Sequence, residues 1–173
     1  MKLFWEQGYG RTSLAQIADE ACVQLGNVYY YFKTKDEIGA AVVQYLSAQN
    51  RTMQEMWNAR EPDPTARLCA FFQLILDSAP GLMQCGCPVA GICSELRKAK
   101  TKSVAEQAAA VFVDMQIWME EQFGILGKER EAQELATHLL TLIQGSILLS
   151  HVFHDAAYLE NEMRRLQSWV RGL

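Results

Sequence analysis

The chain has 173 residues, which is enough for one compact unit or for two small ones that share an apolar core. Half of the residues are apolar, yet no apolar run matches a membrane span or a secretory signal, so the sequence predicts a cytoplasmic protein with no membrane partner. Five cysteines, an odd number, argue against a disulfide framework, and a net charge of −4 counts against a nucleic-acid partner unless a local feature overcomes it.

The N-terminal segment begins with two short predicted helices. The first covers residues 2–7 and ends at Gly8, a C-cap and turn signal. Thr12 and Ser13 then offer N-cap oxygens to the second helix. Its apolar residues recur at helical spacing at Leu14, Ile17, Ala18 and Ala21. Cys22 interrupts this stripe, so we expect the second helix to end there.

A third short helix fits residues 24–31, close behind the second. Two helices of about two turns cannot each bury a core alone, so they must brace one another at a fixed angle, as in a helix-turn-helix. Ala18 is the small residue that such a contact needs. The shared apolar core is predicted to consist of Leu14, Ile17, Val23 and Val28.

The outer face of the third helix carries residue types that can reach base edges and phosphates. These residues are Gln24, Leu25, Gly26, Asn27, Tyr29 and Tyr30. Gln24 and Asn27 are the candidate base readers. Because consecutive helical residues are rotated by about 100°, we expect Tyr31 to turn back toward the core with Phe32.

The remainder of the chain also reads as helical. Thr34 can cap a long fourth helix, with Glu37 completing a capping box. Further helices are predicted from residue 65 and over 89–99, 104–123, 131–154 and 158–170, with a loop at 79–88. The last helix shows apolar residues at Leu159, Met163, Leu166 and Val170. The basic run 97–102 is interpreted as a solvated helix end, and the sequence predicts an all-α fold.

The segment TSLAQIADEACVQLGNVYYYFKTKDEI resembles the DNA-binding motif of the TetR family of bacterial transcriptional regulators. The likeness covers residues 3–46. It implies a three-helix DNA-binding domain over 1–47 and a larger helical domain over 48–173. In the family, this second domain binds a ligand and dimerises through its last two helices.

The resemblance also implies roles for single residues. Thr12 and Ser13 would lie near phosphate, and Lys35, at the start of the fourth helix, would meet another phosphate. The residues facing the major groove would be Gln24, Leu25, Gly26 and Asn27, and those touching the DNA backbone Tyr29 and Tyr30. Cys22 departs from the family, which usually has glycine in this turn. The first helix also lacks the usual basic arm, so the chain is either truncated or missing this arm.

A cysteine-rich segment, CGCPVAGIC, allows two interpretations. Pro88 fits a first helical position, which puts Cys87 at or next to an N-cap, where a thiolate is stabilised. Gly86 and Cys87 resemble an element of some TetR-type regulators that sense electrophiles or oxidants, with Cys85 and Cys93 as resolving thiols. The plainer alternative, which we prefer, is that these cysteines are small apolar packing residues.

The sequence predicts no metal site, no cofactor and no enzymatic activity. A four-ligand set at structural zinc spacing is missing, and no nucleophile–base pair or carboxylate dyad can be read. His151 and His154 lie near the end of a long helix, where interaction with its dipole accounts for them.

Two features of the larger domain suggest a ligand and a second copy of the chain. A pocket for an organic effector is predicted from flexible and flat side chains at Phe71, Phe72, Phe112, Met115, Trp118 and Met119, although ordinary core packing is the preferred interpretation of any one of them. The helix over 131–154 is too apolar for one covered side, and Gly145 permits close approach, so a four-helix dimer interface is expected.

These features together predict a dimeric repressor of TetR type. Two recognition helices about one DNA turn apart would read a palindromic operator in double-stranded DNA. A small-molecule or thiol-reactive effector would release it. The alternative from another class is a helical dimer that has lost operator binding and serves as a small-molecule binding or protein-interaction module.

Overall fold

The structure is a computed structural model that describes residues 1–98 and 102–173. The predicted end of a helix at residue 99 and the middle of the basic run 97–102 lie outside the described residues. Within them the chain forms α-helices and no strand, which confirms the all-α prediction. The helices are α1 Lys2–Glu6, α2 Leu14–Glu20, α3 Leu25–Tyr31, α4 Lys35–Arg60, α5 Pro64–Asp77, α6 Ala79–Cys85, α7 Pro88–Lys98, α8 Lys102–Ile125, α9 Ala132–Phe153 and α10 Ala157–Val170.

Helix α6 corrects the prediction of a loop at 79–88. Pro80 lies in the first turn of this helix, where its missing N–H has no intrahelical partner to lose. Ala79 and Leu82 are buried, and α6 packs against α9 and α5. Gly86 then ends the helix with a φ of +73°, a conformation that glycine adopts without steric cost. The Pro and Gly residues therefore bound a helix rather than a loop.

The described residues form two compact units, each built from two separate stretches of the chain. The first unit combines residues 1–48 with 88–111, and the second combines 49–87 with 112–173. In the first, α1 packs against α7 and α2 against α3. Its core contains Phe4, Tyr9, Ala18, Val28, Ile38, Val43, Ile92 and Leu96. The division at 47/48 stays a prediction about functional domains.

The second unit is built around α5, α9 and α10. Helix α10 packs against both of the others because its apolar residues form a stripe at helical spacing. All four predicted members of this stripe are buried: Leu159, Met163, Leu166 and Val170. By length and composition alone α9 could also cross a membrane, but core helices of soluble proteins meet the same test, so this supports a membrane only weakly.

Candidate nucleic-acid interface

Helix α2 begins with a complete capping box. The Ser13 hydroxyl oxygen accepts a hydrogen bond from the Gln16 amide at 3.2 Å, and the Gln16 side-chain oxygen accepts one from the Ser13 amide at 2.8 Å. These bonds satisfy two groups at the helix start that have no intrahelical partner. The predicted N-cap role is therefore confirmed for Ser13.

Thr12, which is predicted to lie near phosphate, is buried in the turn before α2. Only 2% of its surface is exposed. Its hydroxyl donates to the Gly8 carbonyl at 2.7 Å and accepts from the Gln7 side-chain amide at 3.2 Å. The Thr12 backbone amide donates to the Tyr9 carbonyl at 3.3 Å. Because its hydroxyl and amide both bond within the turn, Thr12 shapes the turn before α2, and its phosphate contact stays a prediction.

The turn between α2 and α3 has a left-handed backbone conformation at Cys22. This residue has a φ of +55°, in the left-handed region that glycine usually occupies. The Cys22 amide donates to Asp19 O and the Val23 amide to Ala18 O, both at 3.0 Å. These two bonds form a Schellman motif, which ends α2 and sets the direction in which α3 starts.

Helix α3 rests on α2 through fewer residues than the sequence predicts. Ala18 and Val28 are buried as expected, whereas Leu14 and Ile17 are only partly covered. Val23 is 42% exposed and lines an open groove with Ile17 and Val28. Ala21 is exposed as well.

Tyr31 also contradicts its predicted place in the core. It is 74% exposed, as is Tyr30, and the two rings pack edge to face with centroids 5.0 Å apart. Helix α3 ends at Tyr31, and Phe32 continues in an extended conformation and is partly buried instead. Tyr31 is therefore a surface residue of this face that the helical periodicity misplaces.

The N-terminal part of α3 presents an open surface. Six predicted DNA-facing residues are exposed: Gln24, Leu25, Gly26, Asn27, Tyr29 and Tyr30. Gln24 is the N-cap residue, one position before the helix begins, and its side chain makes no capping bond. A Cβ atom built on Gly26 would meet nothing within 4 Å, so packing inside this chain does not require glycine there.

Two lysines that follow α3 in the sequence bind backbone carbonyls. Lys33 Nζ donates to Tyr29 O at 2.7 Å and to Tyr30 O at 3.3 Å, which satisfies carbonyls at the end of α3. Lys35 Nζ donates to Tyr9 O at 3.0 Å and lies 4.5 Å from the centroid of the Tyr9 ring. The Lys35 ammonium is thus held at the turn between α1 and α2, at the start of α4.

The cap of α4 differs slightly from the predicted box. The Glu37 amide donates to Thr34 Oγ1 at 3.2 Å, as expected for a capping threonine. The Glu37 carboxylate, however, accepts from the amide of Lys33 at 2.7 Å rather than from that of Thr34. It therefore ties the segment between α3 and α4 to the start of α4.

The cysteine-rich segment joins α6 and α7. Helix α7 begins at Pro88, so the predicted position of Cys87 directly before a helix is confirmed. In the second unit, a Cβ atom on Gly86 would lie 3.6 Å from the His151 ring, and His151 Nδ1 lies 3.0 Å from Met83 O. In the first unit, Cys93 Sγ lies 3.6 Å from Ala105 O. Among the described residues, no group of three or more metal-binding side chains is found.

The predicted effector residues lie in and around an aromatic cluster of the second unit. Phe71, Phe72, Trp118 and Met119 are buried, and Phe112 and Met115 are partly covered. Ring centroids of Phe71 and Trp118 lie 6.0 Å apart, and each also packs against Trp57. Trp118 borders a cavity of about 270 Å³ that is also lined by Arg51, Asn58 and Asp114.

The paired helices α2 and α3, with one open face on α3, define a helix-turn-helix DNA-binding regulator. Residues 1–42 match the family described as bacterial regulatory proteins, tetR family. Residues 64–165 match the C-terminal domain of LmrA/YxaF-like transcriptional regulators. The chain belongs to the TetR family of DNA-binding transcriptional regulators.

Relatives and a solved structure agree with this family over most of their length. An uncharacterized HTH-type transcriptional regulator in the lacX 3' region of Lactococcus lactis subsp. lactis is 30% identical over 171 residues, 96% of this chain and 87% of that protein. The HTH-type transcriptional repressor DhaR of Mycobacterium sp. (strain GP1) is 26% identical and covers 85% of this chain and 76% of its own length. A TetR transcriptional regulator from Legionella pneumophila has the same fold, with a TM-score of 0.85 at 20% identity over 96% of this chain and 90% of that one.

Proposed function

We propose that the protein is a cytoplasmic dimeric repressor that binds a palindromic operator and leaves it when an effector binds. Gln24 and Asn27 read base edges, because their amide groups can pair with adenine and both are exposed at the start of α3. Ser13, Tyr29, Tyr30 and Lys35 contact the sugar–phosphate backbone. A repressor role is supported by DhaR, which is a repressor by its name.

The observation that carries this proposal is the open surface around Gly26. Glycine in a helix is destabilising by roughly 0.5–1 kcal/mol relative to alanine, and nothing in this chain crowds the position. Close approach of a DNA groove accounts for glycine there, together with Leu25 as an apolar neighbour for a thymine methyl group.

A second copy of the chain is supported by the exposed apolar side of α9 and the start of α10. Five large apolar side chains lie at the surface there: Leu148, Leu149, Val152, Phe153 and Tyr158. Such a patch on a soluble protein usually marks an interface. Gly145, on the same helix, has open space in front of it, which leaves room for a partner helix. Dimerisation would supply the second recognition helix that a palindrome requires.

Release has two candidate effectors. A small organic molecule would contact the aromatic cluster, where Phe112 and Met115 are only partly covered. A thiol-reactive electrophile would instead form a covalent bond with the Cys87 sulfur. An oxidant such as a peroxide would convert the Cys87 thiolate to a sulfenic acid, which the Cys85 thiol would attack to form a disulfide and release water. The second route is supported by the N-terminal position of Cys87 before α7, where amides and the helix dipole favour a thiolate.

The test of operator binding compares Gly26→Ala with Gly91→Ala. Both glycines lie on helices with no atom near a built Cβ, so neither substitution should destabilise the fold. We expect only Gly26→Ala to weaken binding to a palindrome from the region upstream of the protein's own gene, measured by fluorescence anisotropy over a range of salt concentrations. If the wild-type chain shows no salt-sensitive, sequence-specific binding, the repressor proposal is wrong and the non-DNA-binding dimer takes its place.

The thiol route is tested with N-ethylmaleimide, whose alkene accepts the thiolate sulfur. Cys87→Ser should bind operator but stay bound after treatment, whereas wild type is released. Cys69→Ser is the matched control, because burial raises the pKa of the Cys69 thiol and makes it a poorer nucleophile at neutral pH. All proteins carry Cys22→Gly, because the exposed Cys22 thiol in the helix-turn-helix could itself react. In that background, equal release with and without Cys87→Ser would assign Cys87 to packing.

A further inference from the structure

Glu95 on α7 binds the turn between α1 and α2 through a backbone amide. Its Oε2 accepts a hydrogen bond from the Gly10 amide at 2.6 Å, across 85 residues of sequence. The same carboxylate lies against Gly8, where a Cβ atom would come within 2.6 Å of Oε1. Gly8 also has a φ of +90°, a backbone conformation that favours glycine, and the absence of a Cβ atom leaves room for the Glu95 carboxylate in its present place.

The peptide group that Glu95 binds is also bound by Lys35. The amide of the Tyr9–Gly10 peptide donates to Glu95, and its carbonyl accepts from Lys35 Nζ at 3.0 Å. In a trans peptide these two groups point in opposite directions. One peptide therefore lies between an anion and a cation, and each charge is paired with the end of the peptide dipole that attracts it.

The surrounding contacts leave this peptide little freedom. The Tyr9 hydroxyl donates to Asp36, and burial together with that carboxylate raises the pKa of Tyr9. A Cβ atom on Gly39 of α4 would lie 3.1 Å from the Tyr9 ring and 3.9 Å from Leu96 of α7. The turn is thus packed from α4 and from α7, and it leads directly into the Ser13 cap of α2.

We propose that Glu95 is a positioning residue for operator binding. It orients the Tyr9–Gly10 peptide on which the Lys35 ammonium rests, and so fixes the place of the cation that contacts phosphate in the proposed function, on which this inference rests. The operator-binding unit then extends beyond residues 1–47 to include α7. Glu95 itself does not touch DNA.

The test is the operator affinity of Glu95→Ala and Glu95→Gln in the full-length chain. Glu95→Ala should weaken operator binding about tenfold. The Gly10 amide loses its hydrogen bond to a charged group, and the Tyr9 carbonyl that binds the Lys35 ammonium is no longer held in a fixed orientation. Glu95→Gln should restore most of the affinity, since its side-chain oxygen can still accept from Gly10. Exposed Glu129→Ala controls for the removal of one negative charge, which by itself favours DNA binding.

A second measurement follows the contact itself. Hydrogen exchange of the Gly10 amide, read by NMR in the folded protein, should be faster in Glu95→Ala than in wild type and Glu95→Gln. If Glu95→Ala does not fold, Glu95→Asp, whose side chain is one methylene shorter, should show the same weakening.

The outcomes separate this inference from the function on which it rests. A wild-type chain that binds no operator overturns the repressor proposal and the role of Glu95 with it. Operator binding that Glu95→Ala leaves unchanged, or that Glu95→Gln weakens as much as Glu95→Ala does, overturns the role of Glu95 alone.

Discussion

Helices α3 and α10 are held in place in different ways. Helix α10 buries four large apolar side chains along one stripe, so its position is fixed by core packing. Helix α3 buries only Val28, and hydrogen bonds at its two ends hold it instead. The Schellman turn at Cys22 sets its start, and Lys33 binds the carbonyls at its end. A short helix fixed at its ends keeps its outer surface free for a partner, which a recognition helix needs.

The largest expected effect comes from truncating a buried side chain in α10, and it is compared with the truncation of an exposed side chain in α3. Met163→Ala should lower the free energy of unfolding by about 2–5 kcal/mol, because Met163 is fully buried and a cavity would remain. Tyr31→Ala, at a position that helical periodicity assigns to the core, should change it by less than about 0.5 kcal/mol. Chemical denaturation of both variants measures this difference. A comparable loss in Tyr31→Ala would mean that α3 depends on packing after all.

A smaller effect tests the hydrogen bonds that hold the helix pair. Ser13→Ala should cost about 1 kcal/mol of stability, since the Gln16 amide loses its acceptor at the start of α2. Ser13→Asp is the matched variant, because its carboxylate can accept the same bond and should keep most of the stability. Thermal unfolding of the three proteins gives the ranking, and equal stability of Ser13→Ala and wild type would show that the box contributes nothing.

The same contrast explains which parts of the molecule could be predicted from the sequence. In α10, periodicity alone identifies four buried residues, because a long helix with one apolar stripe has one way to pack. In the helix pair, the sequence places Val23 and Tyr31 in the core, and both are exposed. Val23 lies in the turn and Tyr31 is the last residue of α3, where helical periodicity is a poor guide to burial. Helix caps are easier to predict from the sequence, since Ser13 bonds to Gln16, only three positions away.

Two further features could not be read from local pattern. Helix α6 is hard to recognise because Pro80 and Gly81 look like loop signals, although Pro fits the first turn of a helix. The contact of Glu95 with Gly10 joins residues that are 85 positions apart, and no local sequence pattern predicts it. The predicted DNA contacts, from the buried Thr12 to the exposed residues of α3, stay predictions.

The smallest expected effect concerns Cys22, the departure from the family's usual glycine. Its left-handed φ of +55° is one that a side chain disfavours by about 1 kcal/mol, so Cys22→Gly should raise the free energy of unfolding by up to that amount. Cys22→Val is the opposite variant, since a β-branched residue is strained further at positive φ. Because the Schellman turn sets where α3 starts, Cys22→Gly should keep or slightly improve operator affinity. If Cys22→Gly lowered both stability and affinity, the cysteine side chain would have a contact of its own, and the turn would no longer be explained by backbone conformation.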